Sequence, residues 1–333
     1  MSAPSSSSSV CKRRGTINAA GRDPRYSYCV HRTRSVSCVP RASAVTPYGC
    51  HSLRRERCIV LCIDDCSYRV HSSVLAKNSR IFEQRLATDH VQGDASDWHV
   101  EDIVLTGDSK HQWDAMLDAL YDADQYFKDL RSEPFEKSLP TLAGLLKLAH
   151  KYGMDFHEQK VIAIIASYFP SPSSPLALDA RPTLAQATTV IRLARATSAT
   201  ALLRPAYLIV AAHAADSDKS IVHDLDILTI DKVSICGGML ALLKAQRAHM
   251  FPFFTRFARP AACKTGRCVP LQHAQRYIDA PERVWLLVDE PLSWLREDDP
   301  SPMCDVCLAS ISQTFAQGCR GVWARVDKIF RLY

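Results

Sequence analysis

The spacing of apolar positions from residue 58 onward first follows the period of β-strands. Residues 58–63 form a short apolar run rich in β-branched side chains, which is typical of a buried strand. Asp64 and Asp65 then favour a turn, and residues 67–70 alternate between polar and apolar as the returning strand of a hairpin does. The sequence therefore opens its ordered part with a predicted β-hairpin.

A helix and a third strand are expected next. Apolar side chains fall at helical spacing between Val74 and Leu86, residues 88–97 are polar and predict a loop, and residues 100–105 favour a strand. Asp108 and Ser109 can then cap a further helix. Its apolar face comprises Trp113, Met116, Leu117, Leu120 and Tyr121.

Two more helices follow in the pattern. Residues 132–140 predict an irregular segment, after which an apolar stripe comprises Leu142, Leu145, Leu146, Ala149 and Tyr152. Gly153 stands where the end of a helix favours a left-handed residue. Asp155 and Glu158 resemble a capping box that opens a helix reaching Phe169. The predicted order is β-β-α-β-α-α-α.

The second half of the chain is predicted to be mostly helical. A segment rich in Pro and Ser at 170–183 indicates a domain boundary, and helical spacing dominates from there to residue 333. The clearest helical segments are 184–199, 205–215, 234–250 and 305–330. We therefore expect an α+β domain at 57–169, in which a helical cluster caps a small sheet, followed by a helical domain at 184–333.

The charge of the chain is concentrated at its N-terminus. Residues 1–57 carry a net charge of +9 and the remainder a net charge of −3. Residues 1–56 lack any apolar period, so we predict a disordered basic tail. Its composition also fits an organellar transit peptide, and Lys12-Arg13-Arg14 fits a short nuclear signal. The acidic balance of the remainder argues against nucleic-acid binding by the body of the protein.

Cysteine content and hydropathy bear on the compartment. The chain has thirteen cysteines, an odd number, without a secretory signal pattern, which argues against a disulfide framework. No apolar run approaches the ~18 residues of a membrane helix, so we expect no contact with a membrane. The sequence therefore predicts a cytoplasmic or nuclear protein.

A resemblance to a known family rests on the segment from Tyr68 to Phe82. An aromatic residue is followed at fixed spacing by His, Val-Leu, Ser and Phe, and similar spacing continues through Leu120-Tyr121 to the helix that ends at Tyr152-Gly153. This pattern resembles the BTB/POZ domain and covers about a third of the chain. The residues that carry it, here called the signature residues, are Tyr68, Val70, His71, Val74, Leu75, Ser79, Phe82, Leu120, Tyr121, Leu146, Tyr152 and Gly153.

The resemblance implies a protein-interaction module. BTB/POZ domains self-associate or dock a protein partner, as adaptors for cullin-type ubiquitin ligases or as transcriptional co-regulators. The family usually has an Asp thirteen residues before the His, whereas this chain has Cys58 there. That departure puts the family's mode of dimerisation in doubt.

The C-terminal half is similar to that of a large group of fungal BTB-containing proteins with a helical, cysteine-bearing region. In this chain the cysteines are two close pairs, Cys263 with Cys268 and Cys304 with Cys307. Four thiolates can hold Zn²⁺ tetrahedrally in a structural site. The loose four-residue spacer of the first pair and the long connector leave unliganded thiols and redox pairing open as well, with Cys319 as a substitute ligand.

Other functions find less support in the sequence. No Gly-x-Ser-x-Gly, Walker A or Gly-x-Gly-x-x-Gly motif occurs, so we expect neither an enzyme nor a small-molecule substrate. His71 and the group Cys58, Cys62 and Cys66 are expected to be structural. A nucleic-acid-associated regulator that uses the basic tail and a zinc-bound C-terminal element remains the alternative to an interaction module.

Overall fold

The chain divides into two compact units whose division falls within a helix. The computed structural model describes residues 29–32, 58–88, 102–171, 181–216, 221–266, 268, 270, 284–287, 292 and 303–332. The N-terminal unit spans Met1–Val161 and the C-terminal unit spans Ile162–Tyr333. Part of the predicted linker at 170–183 lies outside the described residues, so the domain boundaries inferred from sequence stay predictions.

A four-stranded sheet forms the base of the N-terminal unit. Its strands are β1 (Cys29–Arg32), β2 (Cys58–Ile63), β3 (Cys66–His71) and β4 (Asp102–Val104), in the order β1-β3-β2-β4. The hairpin pairs Cys58 with His71 and Ile63 with Cys66, and Asp64 takes the left-handed conformation at its turn with φ 51°. The predicted hairpin is therefore confirmed.

Strand β4 lies parallel to β2, with Leu61 opposite Ile103. A parallel pair needs a crossover, which helices α1 (Ser72–Asn78) and α2 (Arg80–Thr88) contribute to here. Sequence spacing predicted one helix in this segment. The structure divides it at Ser79, whose backbone is extended.

Four further helices begin in this unit: α3 (Lys110–Tyr121), α4 (Ala123–Ser132), α5 (Phe135–Tyr152) and α6 (Asp155–Ser167). Ser109 caps α3 in a capping box with Gln112, as its position predicted. The helices cover a core that includes Leu61, Ile103 and Leu142. A small sheet capped by helices is therefore what this part of the chain forms.

Two sequence-based expectations about the helices of this unit were wrong. Helix α4 was not predicted, because only Phe127 and Leu130 are buried on it. Helix α5 begins at Phe135, within the segment expected to be irregular, and includes Pro140. A proline close to a helix start removes few backbone hydrogen bonds, and burial of the neighbouring apolar side chains compensates for their loss.

The N-terminus of α6 and part of the tail also differ from expectation. Asp155 is the first residue of α6 rather than its cap, and its carboxylate accepts a hydrogen bond from Arg80 at 3.0 Å. Within the tail expected to be disordered, residues 29–32 form β1, which pairs with β3. The rest of residues 1–57 lies outside the described residues.

The C-terminal unit is helical in the ranges that are described. Its helices are α7 (Leu184–Ala196), α8 (Leu203–Asp216), α9 (Ile221–Asp224), α10 (Thr229–His249), α11 (Asp305–Trp323) and α12 (Val326–Phe330). Short 3-10 turns occur at Thr200–Leu202, Pro252–Phe254 and Trp285–Leu287. Thr183 caps α7 in a second capping box, with Gln186. The helical C-terminal region is therefore confirmed.

Two glycines let helices of this unit approach closely. A Cβ atom at Gly318 of α11 would lie 2.1 Å from the carbonyl oxygen of His249, and one at Gly238 of α10 would lie 2.1 Å from the ring of Phe330. Only hydrogen fits at either position. The end of α10 thus packs directly against α11, and α12 packs directly against α10.

Among the helices that the structure describes, none combines the length and the apolar character that a membrane span requires.

Candidate functional site

His71 lies at the junction between β3 and α1, where it is buried. Its Nδ1 lies 2.9 Å from the Tyr121 hydroxyl, and its backbone N–H donates to the same oxygen at 3.1 Å. Tyr121 is the last residue of α3, so these two contacts fix the end of α3 against the end of the hairpin. The arrangement satisfies polar groups in the core, which is a structural role.

Ser79 joins the start of α2 to the end of α5. Its hydroxyl accepts a hydrogen bond from the Phe82 backbone N–H at 3.1 Å and donates one to the Tyr152 carbonyl. The first contact is a helix N-cap, and the second satisfies a carbonyl that helix α5 leaves without an intrahelical partner. Gly153 then ends α5 in the left-handed conformation, with φ 61°.

An aromatic cluster lies directly beside this junction. The ring of Tyr152 stacks on Phe82 with centroids 5.2 Å apart and meets the edge of Trp113 at 5.3 Å. All three rings are buried. Signature residues from α2 and α5 thus stack directly on each other and also contact Trp113 of α3, and ring pairs of this kind each add about 0.5–1.5 kcal/mol beyond area burial.

The carboxylate of Asp108 anchors the polar edge of the cluster. It accepts hydrogen bonds from Trp113 Nε1 at 3.0 Å, from Lys151 Nζ at 2.6 Å and from the Tyr152 hydroxyl. Burial raises the pKa of Asp108, but the hydrogen bonds from Lys151, Trp113 and Tyr152 outweigh burial and bring its pKa below the ordinary value. The carboxylate is therefore held as a charged, fully engaged structural group.

The remaining signature residues contribute to the same core. Val70, Leu75 and Leu146 are buried, whereas Val74 and Leu120 are half-buried. Tyr68 is buried, and its hydroxyl donates to Asp114 at 2.9 Å. The signature residues therefore lie in the contacts between the sheet and the helices that cover it.

The three cysteines of the hairpin lie in strands β2 and β3 of the packed sheet. Cys62 and Cys66 are buried, and Cys58 is half-buried opposite His71 in the ladder between β2 and β3.

The four late cysteines converge in the C-terminal unit. The sulfur atoms of Cys263, Cys268, Cys304 and Cys307, here called the cysteine quartet, all lie within 4.8 Å of one another. The Sγ of Cys263 lies 3.9 Å from that of Cys268 and 3.8 Å from that of Cys304. A disulfide would need sulfurs about 2.05 Å apart, so these are separate thiols.

The separations of the Cys263 sulfur from those of Cys268 and Cys304 match the edge of a tetrahedral metal site. Four Zn–S bonds of about 2.3 Å in a tetrahedron place the sulfurs about 3.8 Å apart along each edge. Cys268 and Cys307 are buried, while Cys263 and Cys304 are half-buried. The quartet could therefore bind a metal ion with two ligands on the protein side and two toward the surface.

Local backbone geometry positions both pairs. Gly266, in the loop between Cys263 and Cys268, has φ 64°, and its left-handed conformation turns the chain between the two sulfurs. Cys304 is the residue before α11, and Cys307 lies in the first turn of that helix. The backbone N–H of Cys304 also donates to the Cys268 sulfur at 3.3 Å, which ties the two pairs together.

Two of the thiols are shifted toward the thiolate form. Desolvation raises the pKa of Cys263, but hydrogen bonds from the Gly266 backbone, the Cys307 thiol and Thr265 outweigh desolvation and lower it to about 6. The pKa of Cys304 is lowered, chiefly by the backbone N–H of Cys307. Burial raises the pKa of Cys307 above the ordinary value of a thiol.

Cys319 does not belong to the quartet. It lies on α11 twelve residues beyond Cys307, which corresponds to about 18 Å along a helix. Burial raises its pKa to about 11. Thr265 was not singled out from sequence, yet its hydroxyl lies 3.0 Å from the Cys268 sulfur. Its place beside Gly266 between two cysteines is the signal that could have identified it.

A separate cavity lies beside α10. It has a volume of about 150 Å³ and is lined by Ala215, Cys236, Met239, Leu240, Leu242, Leu243 and Val284. Its described lining is apolar apart from the thiol of Cys236. Such a lining offers no acid–base pair for catalysis.

Comparisons with known proteins do not assign a family. No protein-family model matches the chain, and no curated protein matches it. Its relation to the BTB/POZ domain is therefore a proposal that rests on its own residues.

Proposed function

We propose that this chain is a non-enzymatic protein-interaction protein whose N-terminal unit is a BTB/POZ-type module. The observation that carries the proposal is the junction at Ser79, whose hydroxyl hydrogen-bonds to signature residues of both α2 and α5. The module acts as an adaptor or transcriptional co-regulator. It binds a second copy of itself or another protein, such as a component of a cullin-type ubiquitin ligase.

Two features of the described residues support this proposal. The described elements include the expected hairpin, helical crossover, third strand and covering helices in that order, together with β1 and α4, which were not expected. Two buried polar groups of this unit also have structural partners: Asp108 holds three donors, and His71 contacts Tyr121. A group engaged in this way is poorly suited to serve as a catalytic acid or base.

In this proposal the cysteine quartet holds a structural zinc ion. Sulfur ligands are those that Zn²⁺ takes in closed structural sites, and four of them leave no coordination position for a substrate or water. The metal therefore stabilises the C-terminal unit and gives the protein no hydrolytic chemistry.

Sedimentation velocity of the full-length chain tests the interaction module. Over a hundredfold range of concentration, we expect a species that grows with concentration or one that is already dimeric. A chain that stays monomeric at every concentration and co-purifies with no protein partner in stoichiometric amount would remove the support for this function.

A matched pair of variants separates association from folding. Ile81 is 45% exposed on α2, and Phe156 is 53% exposed on α6. Because both side chains reach solvent, Ile81→Asp and Phe156→Asp should leave the fold intact. The variant whose side chain lies in the surface of association should weaken association. The circular dichroism spectrum and the melting temperature verify the fold of each variant.

A further inference from the structure

We infer that one Zn²⁺ ion, bound by Cys263, Cys268, Cys304 and Cys307, acts as a latch that holds α11 against the end of α10. This inference rests on the structural zinc ion proposed above, and it adds what the ion does for the fold. In this arrangement the docking of α11 depends on the metal.

The ligands come from two distant parts of the chain. Cys263 and Cys268 lie in the loop after the 3-10 turn Pro252–Phe254, which itself follows α10. Cys304 and Cys307 lie at the start of α11, and thirty-five residues separate Cys268 from Cys304. A metal bound by both pairs therefore cross-links the loop after α10 to the first turn of α11.

The metal lies at one end of the buried face of α11. That face comprises Cys307, Ile311, Phe315, Gly318 and Val322. Farther along the face, Phe315 meets the ring of Phe251 at 5.3 Å, and Gly318 lies against the His249 carbonyl. Helix α11 is thus fixed by packing near the end of α10 and by the quartet at its own N-terminus.

The thiols alone provide little of this cohesion. Thiols are weak hydrogen-bond donors and acceptors, and a sulfur–sulfur separation of 3.8 Å is a contact rather than a bond. Four uncompensated thiolates within 4.8 Å of one another would repel. Zn²⁺ replaces that weak or unfavourable contact with four bonds, and binding energy of this kind is folding energy.

The test compares metal content with the protection of α11 in the full-length chain. Purified under reducing conditions, the protein should contain one zinc per chain by elemental analysis. Replacement by Co²⁺ should give the thiolate charge-transfer and intense d–d bands of a tetrahedral site. On removal of zinc with a chelator, amide exchange in residues 305–323 should accelerate by roughly tenfold or more, and added Zn²⁺ should restore protection. Exchange in α3 of the N-terminal unit should not change.

Two variants, one at the residue that precedes α11 and one within that helix, sharpen the test. Cys304→Ser should lose the zinc and the Co²⁺ bands, whereas Cys319→Ser should keep both. Since Cys304→Ser could fail to fold, chelation of the wild-type chain remains the decisive experiment.

Absence of bound metal would overturn both the zinc site and the latch. Bound zinc whose removal leaves exchange at 305–323 unchanged would overturn the latch alone. Neither outcome bears on association through the N-terminal unit, so the two proposals fail separately.

Discussion

At the scale of single residues, the N-terminal unit depends on a few side chains that each satisfy groups from two elements. Ser79 caps α2 while it binds the end of α5, and Asp108 binds side chains from α3 and α5. Removal of such a residue leaves partners on both sides without hydrogen bonds. Loss of one partner from a buried hydrogen bond costs about 1–3 kcal/mol.

Asp108→Asn tests the charged network through its dependence on pH. The folded-state pKa of Asp108 lies below that of the unfolded chain, so its contribution to the free energy of unfolding is fully present above about pH 4. The contribution is lost as pH falls through the lower folded-state value. At pH 7 the variant should therefore be less stable by about 1–3 kcal/mol. Urea titrations at several pH values should show the difference from wild type shrinking below about pH 4. A difference that stays constant across this range would exclude a charged Asp108.

Leu146→Asp tests the helix face that was predicted from sequence. Leu146 is fully buried in α5, so the substitution forces an unpaired charge into the core and should cost more than about 4 kcal/mol. We expect loss of the cooperative thermal transition of the N-terminal unit. Lys147→Asp is the control, because Lys147 is exposed on the same helix and its replacement should change stability by less than about 0.5 kcal/mol.

At the scale of elements, the sequence was most informative where apolar spacing and end signals agreed. Strands β2 and β3, the capped start of α3 and the Gly153 end of α5 were all predicted. Helix α4 was missed because it presents only two buried side chains, which is too few to mark a period. The start of α5 was missed because Pro140 is normally a sign of a helix boundary.

The cysteine quartet lies at the limit of what spacing can establish. The two pairs were evident in the sequence, but their convergence was not. Closure of a loop of this length costs about 3 kcal/mol of chain entropy, which packing or a bound metal can compensate. The sequence of the loop itself does not indicate that its two ends meet. The contacts of α10 with α11, which bring the pairs together, come from long-range packing that no local pattern encodes.

Gly318→Ala tests that packing directly. The new Cβ would overlap the His249 carbonyl, so the backbone must move and the C-terminal unit should lose about 1–3 kcal/mol. Gly321→Ala is the matched control, because a Cβ there meets nothing within 4 Å and should raise stability by up to about 1 kcal/mol through helix propensity. Equal effects of the two substitutions on thermal unfolding would contradict the close approach of α10 and α11.

At the scale of the whole molecule, the two proposals concern different units of the chain. In these proposals the N-terminal unit presents a sheet-and-helix module to another protein, and a bound metal closes the helical C-terminal unit. The exposed apolar side chains of the N-terminal unit include Ile81, Val104 and Phe156. Single exposed apolar residues are ordinary on protein surfaces, so cross-linking between chains is the measurement that locates the interface.

Cross-linking of isotopically mixed chains makes that measurement. Equal amounts of ¹⁴N- and ¹⁵N-labelled full-length protein are combined, equilibrated and treated with a lysine-reactive cross-linker. The N-terminal unit offers Lys77, Lys110, Lys128, Lys137, Lys147, Lys151 and Lys160 as sites. Mass spectrometry should find peptides that join light to heavy chains, concentrated within residues 58–161. Light-to-light and heavy-to-heavy products alone, from a protein that sediments as a monomer and carries no bound partner, would contradict a BTB/POZ-type interaction module.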